Sequence, residues 1–150
     1  MLFRSDGKIR DALGLHLPNF FTELGCETQS AKYVEDDFEK FDLLFQEVLS
    51  NSDLIVTTGG TADSQYDLVK PLLAKYKAEI LIDRVRMRPG YHVIVARLTI
   101  TNKATPTYFI ALPGNPQSAL ASMAAVGVKV IDYLYGIEDK QLIKIGRAHV

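Results

Sequence analysis

Apolar residues recur along this chain with two rhythms, one near 3.6 residues and one of two, and the switches between them outline the elements. Residues 12–24 carry Leu13, Leu17, Phe20, Phe21 and Leu24 at helical spacing. Pro18 either kinks this helix or occupies its first turn, and Gly25 is placed to stop it. A short extended run is expected from Glu27 to Val34. Residues 34–53 then predict a second helix, capped by Asp36 or Asp37, that buries Phe38, Phe41, Leu44, Phe45 and Val48. Residues 53–58 form a short apolar run that reads as a buried strand entering Gly59-Gly60. A third helix is expected over 65–76, with Pro71 as an irregularity, followed by a strand over 78–87 that breaks at Arg88-Pro89-Gly90. Residues 92–100 and 107–113 alternate as two strands joined by the polar turn "TNKATP", a hairpin pattern. An Ala-rich helix starts at Asn115-Pro116 and stops near Gly136.

This order predicts an α/β fold, a three-layer α/β/α sandwich whose sheet is mostly parallel with an antiparallel hairpin added. In such sheets ligands bind beyond the carboxyl ends of the strands. "TTGG" and "LPGNP" both lie at strand ends before helices, so they are expected to sit near each other.

Composition narrows the function. A chain of 150 residues makes one domain, and its 47% hydrophobic and 23% charged content is ordinary for a globular protein. With 17 basic against 18 acidic side chains the net charge is −1, which gives no argument for nucleic-acid binding. No apolar stretch is long enough to span a bilayer, no secretory leader is visible, and the single Cys26 fits a reducing compartment. A cytoplasmic protein without a membrane partner is expected. The ends, Leu2-Phe3-Arg4-Ser5 and Ile145-Gly146-Arg147-Ala148-His149-Val150, read as translated library adapters. Residues 6–144 are therefore expected to hold the natural, partial domain, with 1–5 and 145–150 non-native.

The candidate chemistry is in the loops. Gly59 and Gly60 allow positive φ and close backbone approach, and consecutive free N–H groups there would form an anion nest. Thr57, Thr58, Thr61 and Ser64 add hydroxyl donors. Asp67 suits a cationic or hydroxyl-bearing ligand, or Mg²⁺ beside a phosphate; equally, it suits the start of a helix. Pro113-Gly114-Asn115-Pro116 is a rigid loop in which Asn115 caps a helix and Ser118 lies in the first turn, with or without a ligand. Arg88 offers a fork for an oxyanion or is a solvated surface residue. Asp36-Asp37 would position Mg²⁺ or a ligand amine, although capping accounts for at least one of them. His16 and His92 stand apart from any catalytic pattern and read as structural or surface positions.

Taken together, "VEDD", "TTGGTADSQYDLVK", "VRMRPG" and "ALPGNPQSAL" fall in the order and spacing of the molybdopterin-binding domain. From about Ile9 to Tyr135 the chain resembles the form of that domain found in the molybdopterin molybdenumtransferases, and the pairing of "LPGNP" with "RPG" points to that molybdenum-inserting branch. The resemblance implies molybdenum cofactor biosynthesis, with adenylated molybdopterin and molybdate as substrates, hydrolysis of the adenylate with a divalent metal such as Mg²⁺, and an adenylyl-transferring partner protein. The full-length parent would be a homodimer. By position, Thr58, Gly59, Gly60 and Thr61 would serve the pterin phosphate region, and Asp36, Asp37 and Asp67 the catalytic or metal chemistry, with Asp67 as metal ligand. Arg88 and Ser118 would face molybdate, Pro89 and Gly90 would belong to the same cofactor-binding set, and Pro113, Gly114, Asn115 and Pro116 would shape the pocket.

The chain departs from the family in three places. Asp11-Ala12-Leu13 stands where the family usually has Asp-Ser-Asn, Tyr91 stands where a lysine usually follows "PG", and the family's first strand with its "TGDE"-like loop is expected before Gly7 but is missing. Two alternatives stay open: a molybdopterin-binding or scaffold module without turnover, and a pyrophosphatase-like domain of the competence-damage type.

Overall fold

A computed structural model describes residues 13–61 and 67–137. Helix α1 (Leu17–Glu23) carries Pro18 in its first turn, where the missing N–H has no helical partner, so the proline starts the helix and does not kink it. The helix ends as the glycine predicts. Gly25 takes φ +85°, its N–H donates to the Thr22 carbonyl at 2.9 Å, and the Cys26 N–H reaches the Phe21 carbonyl at 3.0 Å. Residues 26–37 carry no helix or strand, so the run expected to be extended from Glu27 to Val34 joins no sheet among the described residues.

Helix α2 (Phe38–Leu49) is capped by Asp37, whose carboxylate accepts the Lys40 N–H at 2.9 Å. It buries Phe41, Phe45 and Leu49 as an apolar stripe. It also buries Asp42, which the apolar pattern alone does not anticipate. Asp42 accepts hydrogen bonds from Gln46 at 2.8 Å, Lys75 at 2.7 Å and Tyr76 at 2.8 Å, so its charge is paired across to the next helix. The Lys75 ammonium leads in holding the Asp42 carboxyl below its ordinary range, with the Tyr76 hydroxyl assisting.

Strand β1 (Leu54–Thr58) precedes α3 (Val69–Lys75), in which Pro71 falls within the first turn and is tolerated there. Strands β2 (Glu79–Asp83), β3 (Ile94–Leu98) and β4 (Thr107–Leu112) follow. Then come α4 (Pro116–Ser122), a π-helical turn over Met123–Gly127, and α5 (Val128–Leu134). The last helix is thus interrupted where an unbroken one is expected. At this turn the Met123 side chain occupies the place of a Gly127 Cβ, which would lie 2.2 Å from its methyl carbon.

The sheet order is β1-β4-β3-β2. The expected hairpin is β3–β4, but β2 also pairs antiparallel to β3. Among the described strands only β1–β4 is parallel, so the sheet is mixed and its parallel share smaller than expected. The difference arises because β2 reaches β3 through a loop with no crossover helix, a connection that reverses direction.

Helices cover both faces, which gives the three layers. Ile94, Ala96, Phe109 and Ala111 point to α2 and α3, while Val93, Val95, Ile110 and Leu112 point to α1, α4 and α5. Phe45 joins the first layer to the sheet, edge-on to Phe109 at 5.8 Å and to Tyr76 at 4.9 Å. No helix among the described residues is long and apolar enough to cross a membrane. The expectations about the first strand, the adapter-like ends and Ser64 fall outside the described residues.

Candidate functional site

Topology brings three loops to one edge of the sheet. β1 and β4 run parallel, with Thr58 opposite Leu112. β2 and β4 are each antiparallel to β3 and hence parallel to each other. The loops following β1, β2 and β4 therefore all leave at the same end.

The loop after β1 has the expected glycine conformation, with φ +87° at Gly59 and +66° at Gly60. Its hydrogen bonding differs from the expected run of free donors. The Gly59 N–H donates to the Leu112 carbonyl at 2.9 Å, extending the β1–β4 ladder by one residue, so it is not available to an anion. Thr58 is exposed, Thr61 is buried, and the Thr57 hydroxyl is enclosed without a hydrogen-bond partner. Asp67 serves the start of α3, where one carboxylate oxygen accepts the N–H groups of Val69 at 3.1 Å and Lys70 at 3.3 Å.

The loop after β4 leads into α4. Asn115 caps that helix by accepting the Ser118 N–H at 3.1 Å, and Pro116 occupies its first turn. Gly114 approaches the first loop closely: a Cβ built on it would meet the Gly59 Cα at 3.4 Å. "TTGG" and "LPGNP" thus touch backbone to backbone.

The loop after β2 is pinned at its base by the Arg84 N–H to the Val93 carbonyl at 2.9 Å and the Val85 N–H to the Tyr91 carbonyl at 3.1 Å. Its tip carries a cis Arg88–Pro89 peptide and the buried Gly90 at φ +112°. Gly90 presses on α4. Its carbonyl accepts the Ser122 hydroxyl at 3.2 Å, and a Cβ there would lie 2.8 Å from the Ser122 oxygen and 3.3 Å from the Ser118 carbonyl. Helix α4 is therefore the common wall: its entry meets the glycine loop, and its first turns seat "RPG".

Between this loop and α4 is a cavity of about 420 Å³ lined by Arg88, Pro89, Gly90, Tyr91, His92 and Ser118. That volume lies in the range of small-ligand sites. Arg88 is exposed and forms no ion pair among the described residues. Arg88, Pro89, Gly90 and Ser118 are thus brought together around this cavity. Thr58, Gly59, Gly60, Thr61, Pro113, Gly114, Asn115 and Pro116 adjoin this region but do not line the cavity. Tyr91 and His92 do line it, and His92 is the residue that sequence reasoning set aside. Its position just past "RPG" at a strand start was the available signal.

The acidic residues do not converge. Asp36 and Asp37 are both exposed at the start of α2 and line no part of the cavity. No group of three or more His, Cys, Asp or Glu side chains able to hold a metal exists among the described residues. One oxygen of Asp67 is already engaged by two backbone N–H groups. The described residues therefore do not fit a resident Mg²⁺ site.

Residues 2–133 match the family described as "Probable molybdopterin binding domain". Molybdopterin molybdenumtransferases from Staphylococcus aureus and Staphylococcus epidermidis are each 28% identical, over 141 and 140 residues, covering 93% and 92% of this chain. The chain spans about a third of the length of these relatives, 32% in each case. Among solved structures, the tungsten cofactor synthesizing protein MoaB from Pyrococcus furiosus superposes with a TM-score of 0.67 at 18% identity, covering 89% of each chain. The protein CinA from Thermoplasma acidophilum gives 0.61 at 19% identity, covering 83% of this chain and 90% of its own. These two likenesses establish the fold. With the family matched over nearly all of the described residues and its loops gathered at one sheet edge, the chain belongs to the molybdopterin-binding domain family of molybdenum cofactor biosynthesis.

Proposed function

We propose that this chain is the molybdopterin-binding domain of a molybdenum-inserting enzyme, and that the Arg88 cavity holds the oxyanion substrate, molybdate. The observation that carries the reading is the seating of "RPG" on the first turns of α4, which sets Ser118 and the Arg88 guanidinium, without an ion pair among the described residues, around one small cavity. A planar guanidinium with neighbouring hydroxyls is suited to a tetrahedral dianion. The adjacent glycine loop, with Thr58 exposed and Gly60 at positive φ, would lie against the phosphate end of adenylated molybdopterin. In the parent, insertion would pair this domain with a second copy and with an adenylyl-transferring protein that supplies the substrate. Because the chain spans a third of its relatives, binding without turnover is the reading for the chain by itself.

Calorimetric titration with molybdate tests the assignment. The 150-residue chain is expected to bind it, and Arg88→Ala to weaken binding by roughly 10- to 100-fold, the loss of a charge-assisted hydrogen-bonding pair. Equal affinity in the two proteins would remove Arg88 from the site.

A further inference from the structure

We infer that the Tyr91 ring is a stacking platform that makes this cavity select an oxyanion joined to a flat heteroaromatic ring, a role that rests on the oxyanion reading of Arg88. The lining is of two kinds. Arg88 and Ser118 bring hydrogen-bond donors, whereas Pro89 and Tyr91 bring flat, largely apolar surface. Small-ligand cavities combine a few polar groups that orient the ligand with apolar and aromatic walls that cover the rest of it. A bare tetrahedral dianion has nothing to lay against the second kind of wall.

Tyr91 is both open to such a ring and held in place for it. At 42% exposure it is reached from solvent. Its backbone is fixed, because its carbonyl accepts the Val85 N–H at 3.1 Å and the preceding Gly90 is buried against α4. Two contacts orient the ring. The Arg84 guanidinium lies over it, 5.9 Å from the centroid, and is itself 3.5 Å from the Asp83 carboxylate. The His92 ring stands nearly perpendicular to it, at 84° with centroids 5.0 Å apart. Neither contact is a parallel stack. Arg84 takes one face, and the opposite face is the one on which a ligand ring would lie offset and parallel. A ring already oriented loses little freedom on binding, so the stack registers as affinity. Adenine and pterin share this chemistry, and both belong to the adenylated substrate proposed above.

The test titrates the 150-residue chain calorimetrically with AMP, neopterin monophosphate and ribose 5-phosphate, the last a phosphate without an aromatic ring. At least one ring-bearing phosphate is expected to bind about tenfold more tightly than ribose 5-phosphate, the scale of a base–aromatic stack. Which of the two gains more distinguishes adenine from pterin. Tyr91→Leu should bring the three affinities together, and Tyr91→Phe, which keeps the ring, should retain the preference. A preference that is absent from the unmodified chain, survives in Tyr91→Leu or disappears in Tyr91→Phe overturns the inference. If Arg88→Ala weakens molybdate binding while the aromatic ring adds nothing in the unmodified chain, the Tyr91 role falls and the oxyanion site stands. If the unmodified chain binds neither molybdate nor any of the three phosphates, both readings fall. Because the preference is measured first on the unmodified chain, its absence is decisive whether or not the variants fold.

Discussion

Gly90→Ala removes no interaction, yet it should be among the most damaging single-methyl additions in this chain. The damage has two independent sources. The residue sits at φ +112°, a conformation that L side chains rarely adopt, and strain there is on the order of 1–3 kcal/mol. The new Cβ would also lie 2.4 Å from the Met87 methyl carbon, 2.8 Å from the Ser122 oxygen and 3.3 Å from the Ser118 carbonyl. Met87 is a flexible tip and can swing away, but the Ser118 carbonyl belongs to the α4 backbone, and overpacking of this kind adds roughly another 1–3 kcal/mol. Together they destabilise by about 4 kcal/mol, and at about 3 °C per kcal/mol for a domain of this size the melting temperature should fall by roughly 12 °C. Gly59→Ala is the internal control. Its φ is +87° but nothing lies within 4 Å of the added carbon, so only the strain, about 1–2 kcal/mol, should register. Differential scanning calorimetry of the two variants and the parent chain measures both. Pairing each with Ser122→Ala adds a second check, since removing that oxygen should relieve part of the Gly90→Ala penalty and none of the Gly59→Ala penalty. If Gly90→Ala melts within a degree or two of Gly59→Ala, "RPG" is not seated on α4 as described, and the cavity geometry built on that seating fails with it.

Other outcomes follow from the capping and charge pairs. Asp67→Ala should destabilise by about 1 kcal/mol, the loss of a helix-start acceptor, and Asp67→Ser should recover most of it; a melt unchanged by Asp67→Ala would mean that the carboxylate is not engaged by α3. The native pKa of Asp42 lies below its ordinary value, foremost through the Lys75 hydrogen bond, so its ionised form contributes stability that is present above the unfolded-state pKa of about 4 and is lost as pH falls through the lowered native value. Melting curves of the parent chain and Asp42→Asn should therefore differ most near neutrality and converge as the pH drops below about 4; a gap that stays constant down to pH 2 would contradict the pairing.

Much of the architecture was legible because local and tertiary demands agree. Gly25 ends α1 with both of the hydrogen bonds expected of a glycine stop, and Asn115-Pro116 starts α4 with the side-chain cap that its residue types favour. The alternation of Val93, Ile94, Val95 and Ala96 encodes two buried faces, and both faces are covered by helices. Asp42 was not legible as a buried charge, because a carboxylate within an apolar stripe is indistinguishable from a surface one until Lys75 and Tyr76 arrive from another helix. The smaller parallel share has a similar cause: strand direction depends on the path between β2 and β3, which periodicity does not carry.

By itself, then, the sequence determined the elements, the loops that would matter and the family to which their motifs point, since glycine, proline and capping residues act over a few positions. Only the tertiary structure decided which loop atoms remain available. The Gly59 N–H is taken by Leu112, one Asp67 oxygen is engaged by α3, and Asp37 caps α2, whereas the exposed Arg88 beside the cavity forms no ion pair among the described residues. Whether a polar group is free for a ligand depends on every neighbour that the fold brings within about 3 Å of it, and those neighbours lie far away along the chain.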